Sequence, residues 1–364
     1  MTKGELKYLV ALSVFSKFNP KSLLKIKRTF VNLQDVWQAG LHDFLKLGIT
    51  ESTALSFLEE RNKINPEQEW EKVQQANLNI ITLDDPGYPP LLKEISDPPV
   101  LLYYRGLLKN DAFPLAVVGS RRLSFYGRQV IEKLMPKLID NKISIISGLA
   151  LGADAVSHQE CLKNHGRTIA VLGSGLDAAN IYPKQNQRLA QEIFEAGGLI
   201  ISEYPIGTLP LRFNFPARNR LISGLSLGTL IIEATEESGS LITAKLALEQ
   251  NREVFCIPGN IFSPLSEGPN NLIKLGAKLI TGVEDILEEM SIEHQELPLP
   301  KAKPLPANPQ ETAILKTLGP EPKHIDKITL ESGLSASLVF SVISLMEIAG
   351  KVKNVGGMNY LICA

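Results

Sequence analysis

Leu115-Ala116-Val117-Val118-Gly119-Ser120-Arg121-Arg122 decides the fold: a short, unbroken apolar run that ends on a glycine, a hydroxyl and two cations. Such a run suits a strand buried on both faces, and its polar tail marks the strand's end. The same shape recurs outward from it, in Ile143-Ser144-Ile145-Ile146, Thr168-Ile169-Ala170-Val171-Leu172, Gly198-Leu199-Ile200-Ile201-Ser202, Gly228-Thr229-Leu230-Ile231-Ile232 and Glu253-Val254-Phe255-Cys256-Ile257. Helical stretches separate the runs. Strands that alternate with helices make a parallel sheet covered on both faces. An α/β fold follows, with an extended Rossmann-like, doubly wound parallel sheet whose ligands bind beyond the carboxyl ends of the strands.

Residues 1–78 are expected to form an N-terminal helical domain. Leu6, Leu9, Val10 and Leu12 keep a helical spacing, as do Leu41, Phe44, Leu45 and Leu47. Gly48 ends one helix and Thr50 caps the next, a hairpin of the SAM or helix-hairpin-helix kind whose turn either packs or offers amides to a phosphate. From Asn79 to Gly106 the prolines of Asp85-Pro86-Gly87-Tyr88-Pro89-Pro90 and Asp97-Pro98-Pro99 forbid long regular elements. This stretch reads as an irregular connector belonging to a central domain of residues 79–290. Residues 291–310, with Pro298, Pro300, Pro304, Pro306 and Pro309, read as a linker. Residues 311–364 have room for helices at 311–318, about 323–332 and 335–349, then a hairpin around Gly356-Gly357, which together suggest a winged helix. Its last helix carries only Glu347 as a charge. A protein-contact or regulatory role is therefore as well supported there as duplex binding.

The chain has 364 residues and 44% hydrophobic side chains, as a globular protein with an ample core does. With 38 Lys and Arg against 39 Asp and Glu, the net charge is −1, so any nucleic-acid contact must come from a local patch. Cys161, Cys256 and Cys363 lie far apart without metal-ligand spacing, which fits buried thiols in a reducing compartment. No metal and no cofactor are expected. The N-terminus lacks a signal-peptide pattern and no apolar run reaches a membrane span, so the expected location is cytoplasmic, with no membrane partner.

The local patch centres on Arg212 and Phe215-Pro216-Ala217-Arg218-Asn219-Arg220. No Asp or Glu occurs from Tyr204 to Ile232, so three guanidinium groups stand without a nearby countercharge in sequence. Pro216 is expected to keep the cluster out of a helix. Arginine's forked donors match phosphate oxygens. One of Arg218 and Arg220 could instead be buried against a carboxylate such as Glu233. Other candidates fall where strands meet helices. Gly119, Ser120 and Arg121 can meet a ligand at a helix start, although Arg121 or Arg122 could be plain surface arginines. Ser147 and Gly148 open a glycine-rich turn, Ser147 to Asp154, of the kind that cradles phosphates or merely turns tightly. Tyr182 and Lys184 pair a ring with a cation, as in single-strand binding, or are a structural tyrosine and a solvated lysine. Ser238 or Ser240, beside Gly239, can cap a helix. Glu233 is a carboxylate without a complete catalytic constellation.

Taken in order, Tyr88-Pro89, Asp97-Pro98-Pro99, Gly119-Ser120-Arg121, Ser147 to Asp154, Phe215 to Arg220, Glu233-Ala234, Ser238 to Ala244, Pro258-Gly259 and Gly268 to Ile273 before Gly276-Ala277 resemble the bacterial DNA-processing protein A family, also called DprA or Smf. The resemblance is dense from about 80 to 290. It implies a non-catalytic protein that binds single-stranded DNA, protects incoming DNA in natural transformation, and loads RecA recombinase onto strands coated by single-strand-binding protein. The family's positively charged pocket maps onto Arg121, Lys184 and Arg212, with Phe215, Arg218, Asn219 and Arg220 beside them. Together with the strand-end candidates, the expected DNA site is Gly119, Ser120, Arg121, Ser147, Gly148, Lys184, Arg212, Asn214, Phe215, Arg218, Asn219, Arg220, Ser238, Gly239 and Ser240. The resemblance also implies a homodimer joined through Leu272, Ile273, Leu275 and Leu279. The alternative is a Rossmann-like nucleotide hydrolase related to the phosphoribohydrolases. Those enzymes carry a Pro-Gly-Gly-x-Gly-Thr phosphate turn before a Glu, whereas Leu225-Ser226-Leu227-Gly228-Thr229 precedes Glu233 here.

Overall fold

The computed structural model describes residues 3–290, 309–319, 322–348 and 351–362. The expected linker, 291–310, lies almost wholly outside them, as does Cys363. The six apolar runs become six strands of one sheet: β3 (Phe113–Val118), β4 (Ile143–Ser147), β5 (Thr168–Val171), β6 (Leu199–Ser202), β7 (Gly228–Ile231) and β8 (Glu253–Cys256). They pair in parallel in the order β6-β5-β4-β3-β7-β8. From β3 the chain builds outward through β4, β5 and β6, then returns to lay β7 on the other side of β3. The direction reverses between β3 and β7, and there the crossovers diverge to opposite faces and leave a crevice at the strands' carboxyl ends.

The period of two in β3 divides the core. Leu115 and Val117 face α7 (Phe125–Asp140) and α13 (Val283–Glu289), packing with Ile131, Leu134, Met135, Ile286 and Leu287. Ala116 and Val118 face α10 (Asn214–Gly224) and α11 (Gly239–Glu249), with Leu221, Ile222, Ala244 and Ala247. The remaining crossovers are α8 (Ala153–Lys163) and α9 (Gln187–Glu195); α12 (Pro264–Lys274) follows β8 and leads to a short edge strand, β9 (Lys278–Leu279).

The connector is more regular than its prolines suggest. It contributes β1 (Asn79–Thr82) and β2 (Leu101–Gly106), which extend the sheet antiparallel beyond β6, with Tyr103 opposite Ser202. The prolines are confined to the excursion between them, around the one-turn α6 (Pro90–Lys93). Gly106 has φ +107°, and a Cβ there would lie 2.1 Å from the Gly198 carbonyl oxygen, so only glycine lets β2 end against β6.

The N-terminal residues form α1 (Lys3–Val14), α2 (Pro20–Thr29), α3 (Leu41–Lys46), α4 (Glu51–Glu60) and α5 (Pro66–Gln75). Gly48 takes φ +68° between α3 and α4, the left-handed conformation that a tight helical hairpin needs. Phe15, Phe18, Phe44 and Phe57 are buried in one cluster, and that cluster runs on into Leu101, Tyr103, Ala170 and Ile200 of the sheet. The Tyr103 hydroxyl is 2.8 Å from the Ser13 hydroxyl. Residues 1–294 are accordingly one compact unit, and the boundary expected at 78 does not separate two cores.

The second unit begins at 295. It comprises α14 (Pro309–Thr317), β10 (Lys323–His324), α15 (Ile325–Ser332), α16 (Ala336–Ile348), β11 (Val352–Asn354) and β12 (Asn359–Ile362), the winged-helix order. The expected helix at 323 starts two residues later, because Lys323-His324 pair with β12 and His324 caps α15. Ile314, Ile328, Val339, Ile343, Met346, Val352 and Tyr360 form its core.

Candidate functional site

A cleft of about 930 Å³ opens at the β3/β7 crevice. Gly119, Ser120, Arg121 and Arg122 line it from the end of β3, Ala150 and Asp154 from the start of α8, and Tyr182 from the β5–α9 connection. Arg212, Phe215, Arg218 and Asn219 come from the approach to α10 and its first turns, and Ser238, Gly239 and Ser240 from the start of α11. Three helix N-termini therefore converge on the cleft, each bringing the positive end of its dipole. Arg121, Arg122 and Arg212 are exposed, and none is in an ion pair among the described residues. The Arg121 guanidinium lies 5.7 Å from the centre of the Phe215 ring, and Tyr182 and Phe215 sit 5.6 Å apart, tilted by 42°. Rings beside unpaired cations suit bases and phosphates respectively.

The sequence Phe215-Pro216-Ala217 lies inside α10, not in a turn as Pro216 suggested. Pro216 is the helix's third residue, where a backbone N–H has no intrahelical acceptor, so its absence costs nothing. Winding into a helix separates the arginines. Arg218 is 4% exposed and donates through Nη1 to the Gly148 carbonyl at 2.9 Å and to the Val171 carbonyl. Burial pushes its pKa down to about 10, which leaves it charged at neutral pH. Arg220 points elsewhere and pairs with Glu203 and, at 3.1 Å, with Asp97, acids that the local sequence window omits. It is therefore withdrawn from the cleft. Neither arginine meets Glu233, whose carboxylate accepts the Ser124 N–H at 2.8 Å and the Ser124 hydroxyl at 2.5 Å.

The glycine-rich turn after β4 is built around Asp154. Its carboxylate accepts the Gly148 N–H at 3.1 Å and the Ala150 N–H at 3.3 Å. Burial raises its pKa, opposed chiefly by Arg218. A Cβ at Gly148 would lie 2.7 Å from Arg218 Nη2 and 2.9 Å from Asp154 Oδ2, so glycine is needed there to let the two charges close around the backbone. Gly148 reaches only a small recess beside the main cleft. Asp154 was legible as part of a motif but not as the acid that organises it.

Four further expected contacts lie outside the cleft lining. Ser147 is fully buried and donates to the Val117 carbonyl, joining β4 to β3. Asn214 is buried, and its amide donates to the Leu209 carbonyl, bracing the loop that carries Arg212. Lys184 is exposed but lines neither the cleft nor the recess; its neighbour Asn186, which the sequence did not single out, fastens the segment to the Leu149 and Ala150 carbonyls. Arg220 is the fourth. Asn219 bridges α10 to α11, its amide donating to the Gly239 carbonyl at 3.3 Å. Leu272 and Ile273 pack partly against the sheet's core, whereas Leu275 is 83% and Leu279 48% exposed.

Among the described residues, no three His, Cys, Asp or Glu side chains are grouped to hold a metal ion, and Cys161 and Cys256 are buried with thiols pushed up to about 12. His158 is buried, its pKa driven down to about 3, and its Nδ1 is 2.6 Å from the Thr168 hydroxyl. No single helix among the described residues is long and apolar enough to cross a membrane.

Comparison with known proteins agrees with this architecture. Residues 79–291 match the model of the DNA recombination-mediator protein A family, and residues 298–358 match the DprA winged helix domain. Protein Smf of Synechocystis is 36% identical over 99% of both chains, and Protein Smf of Escherichia coli is 40% identical over 85% of this chain and 84% of that one. The X-ray structure of DNA processing protein A from Streptococcus pneumoniae superposes with a TM-score of 0.67 at 38% identity, over 79% of this chain and 98% of that one. A Helicobacter pylori DNA processing protein A structure, reported for its single-stranded DNA binding mode, gives 0.52 at 33% identity, over 58% of this chain and 96% of that one.

The cleft's charges separate into structural and free ones. Arg218→Ala strands the buried Asp154 carboxylate and is expected to cost about 3–5 kcal/mol in urea unfolding, whereas Arg121→Ala should stay within about 0.5 kcal/mol. Without Arg218 the Asp154 pKa, already raised by burial, rises further. Burial penalises the carboxylate only when it is ionised, so the Arg218→Ala deficit should shrink as the pH falls through that raised value. A deficit that is small at neutral pH, or that grows on acidification, would contradict the assignment.

Proposed function

The chain belongs to the DNA recombination-mediator protein A family, and from that premise we propose that it binds single-stranded DNA in the β3/β7 cleft. In this reading it protects incoming strands during natural transformation and passes them to RecA recombinase on DNA covered by single-strand-binding protein. The observation that carries the binding reading is the composition of the cleft wall: unpaired Arg121, Arg122 and Arg212 around the Tyr182–Phe215 pair, with three helix N-termini behind them. The one carboxylate in the lining, Asp154, is engaged by two backbone amides and faces Arg218, so it does not oppose phosphate. Gly119, Ser120, Asn219, Ser238, Gly239 and Ser240 complete the wall in this reading, while Ser147, Gly148, Asn214 and Arg218 hold it in shape.

Action by binding rather than catalysis fits the state of the titratable groups. Glu233 is occupied by Ser124, and His158 is neutral and sealed in the core. A hydrolase needs a base within reach of its substrate, and neither offers one.

Affinity should fall steeply with salt, depend little on sequence and exceed that for blunt duplex, because phosphates supply most of the attraction. The Arg121→Ala, Arg212→Ala double variant should melt near the wild-type temperature, lose at least about tenfold in oligonucleotide affinity and lower the salt slope by about 1.4. It should also lose its stimulation of RecA filament assembly on coated strands. A folded double variant with wild-type affinity would defeat this site.

We further propose a homodimer joined through the exposed edge that carries Leu275 and Leu279, with Leu272 and Ile273 supporting it from the core side. Apolar side chains this exposed on an edge strand and its approach favour burial against a second copy. Light scattering should give twice the chain mass for the wild type and the chain mass for Leu275→Glu, the substitution least able to disturb the core. A monomeric wild type would refute the dimer.

A further inference from the structure

We propose that the strand leaves the cleft across the first turns of α7, where the Phe125 ring stacks on a base and Arg122 and Arg128 take the flanking phosphates; this path rests on the single-strand reading above. Arg122 already lines the cleft, and α7 starts three residues later. Phe125 is 75% exposed at the helix's first position. A phenylalanine this exposed contributes little to the fold, while its face is a stacking platform for any base. Arg128 is exposed three residues on, one helical turn along the same face.

The backbone under Phe125 is fixed. The Ser124 hydroxyl accepts the Gly127 N–H at 3.1 Å and donates to Glu233, and a Cβ at Gly127 would meet the Glu233 carboxylate at 2.7 Å. The Tyr126 hydroxyl donates to the Pro258 carbonyl at 2.7 Å, so the next ring, 45% exposed, is tethered to the protein, while the Phe125 ring beside it is untethered and more exposed. Charge favours the same occupant. Neither Arg122 nor Arg128 is in an ion pair among the described residues, Glu233 has both oxygens taken by Ser124, and the nearest free acid on the helix is Glu132, a turn beyond Arg128. A protein partner would find a ring between two unneutralised cations, whereas a strand emerging from the cleft meets the alternation of ring and cation that its bases and phosphates require.

The test is strand length. Fluorescence anisotropy would be measured with oligothymidylates of about six and about twenty nucleotides, the first filling the cleft and the second reaching past it. Wild type should bind both, the longer more tightly. For Phe125→Ala, and independently for Arg128→Glu, affinity should fall no more than about twofold on the short strand and about tenfold on the long one. Both side chains are exposed, so the variants should melt as wild type does. Equal losses at both lengths, or none at either, would overturn the path and leave this face to a protein partner. Wild-type failure to bind the short strand would instead overturn the cleft reading, and the path with it.

Discussion

Arg218 brings a full positive charge to a position where 4% of the residue reaches solvent, and the strand ends around it are arranged to satisfy that charge. Its guanidinium ties the carbonyl at the end of β5 to the first turn after β4, and Asp154 clamps the same turn from the other side through two backbone amides. A buried charge of this kind is tolerated only when its donors are used and an opposite charge is close. Once that condition is met, the turns after β4 and β5 are held against α10, the Ala153 N–H donated to the Ser120 carbonyl at 3.1 Å ties the turn after β3 to them, and the exposed arginines need make no structural contacts of their own. The division of labour among the arginines follows from this: the buried one builds the cleft floor, and Arg121, Arg122 and Arg212 remain unneutralised at its wall.

The sheet gives the clamp something rigid to hold. β3 is paired on both sides, and its alternating side chains enter two different cores, so the turn after Val118 leaves from a fully packed strand. On the far side β1 and β2 prolong the sheet and carry the N-terminal helices with them, through a shared core and the Ser13–Tyr103 contact. The helices thus pack on the face of the sheet that β2, β5 and β6 form. The winged-helix unit is different in kind: its longest helix presents Phe340, Leu345 and several serines outward with Glu347 as its one charge, a surface that lacks the cations a duplex reader uses.

Much of this was legible in the residues, because buried parallel strands leave a local trace: six apolar runs with polar ends became six strands in the expected sheet, and the strand-end turns fell where the cleft is. What was lost was non-local. Arg220 looked free because its acids, Asp97 and Glu203, lie outside the acid-free window. Pro216 looked like a helix breaker because its rank within a helix depends on where the helix starts, which Pro216 does not itself encode. Ser147 and Asn214 looked like ligand contacts because a hydroxyl or amide at a strand or helix end reads the same whether it faces solvent or a neighbouring carbonyl. β1 and β2 were hidden by prolines that belong to the excursion between them.

The most direct test of the account is to ask which side chains touch the bases. A short strand carrying a photoactivatable thymidine analogue, crosslinked to the full-length protein and mapped by peptide mass spectrometry, should mark Phe215 and Tyr182, the rings inside the cleft. Adducts confined to the N-terminal helices or to the winged-helix unit, with none on the cleft rings, would contradict the claim that the cleft formed around Arg218 is where the strand is held.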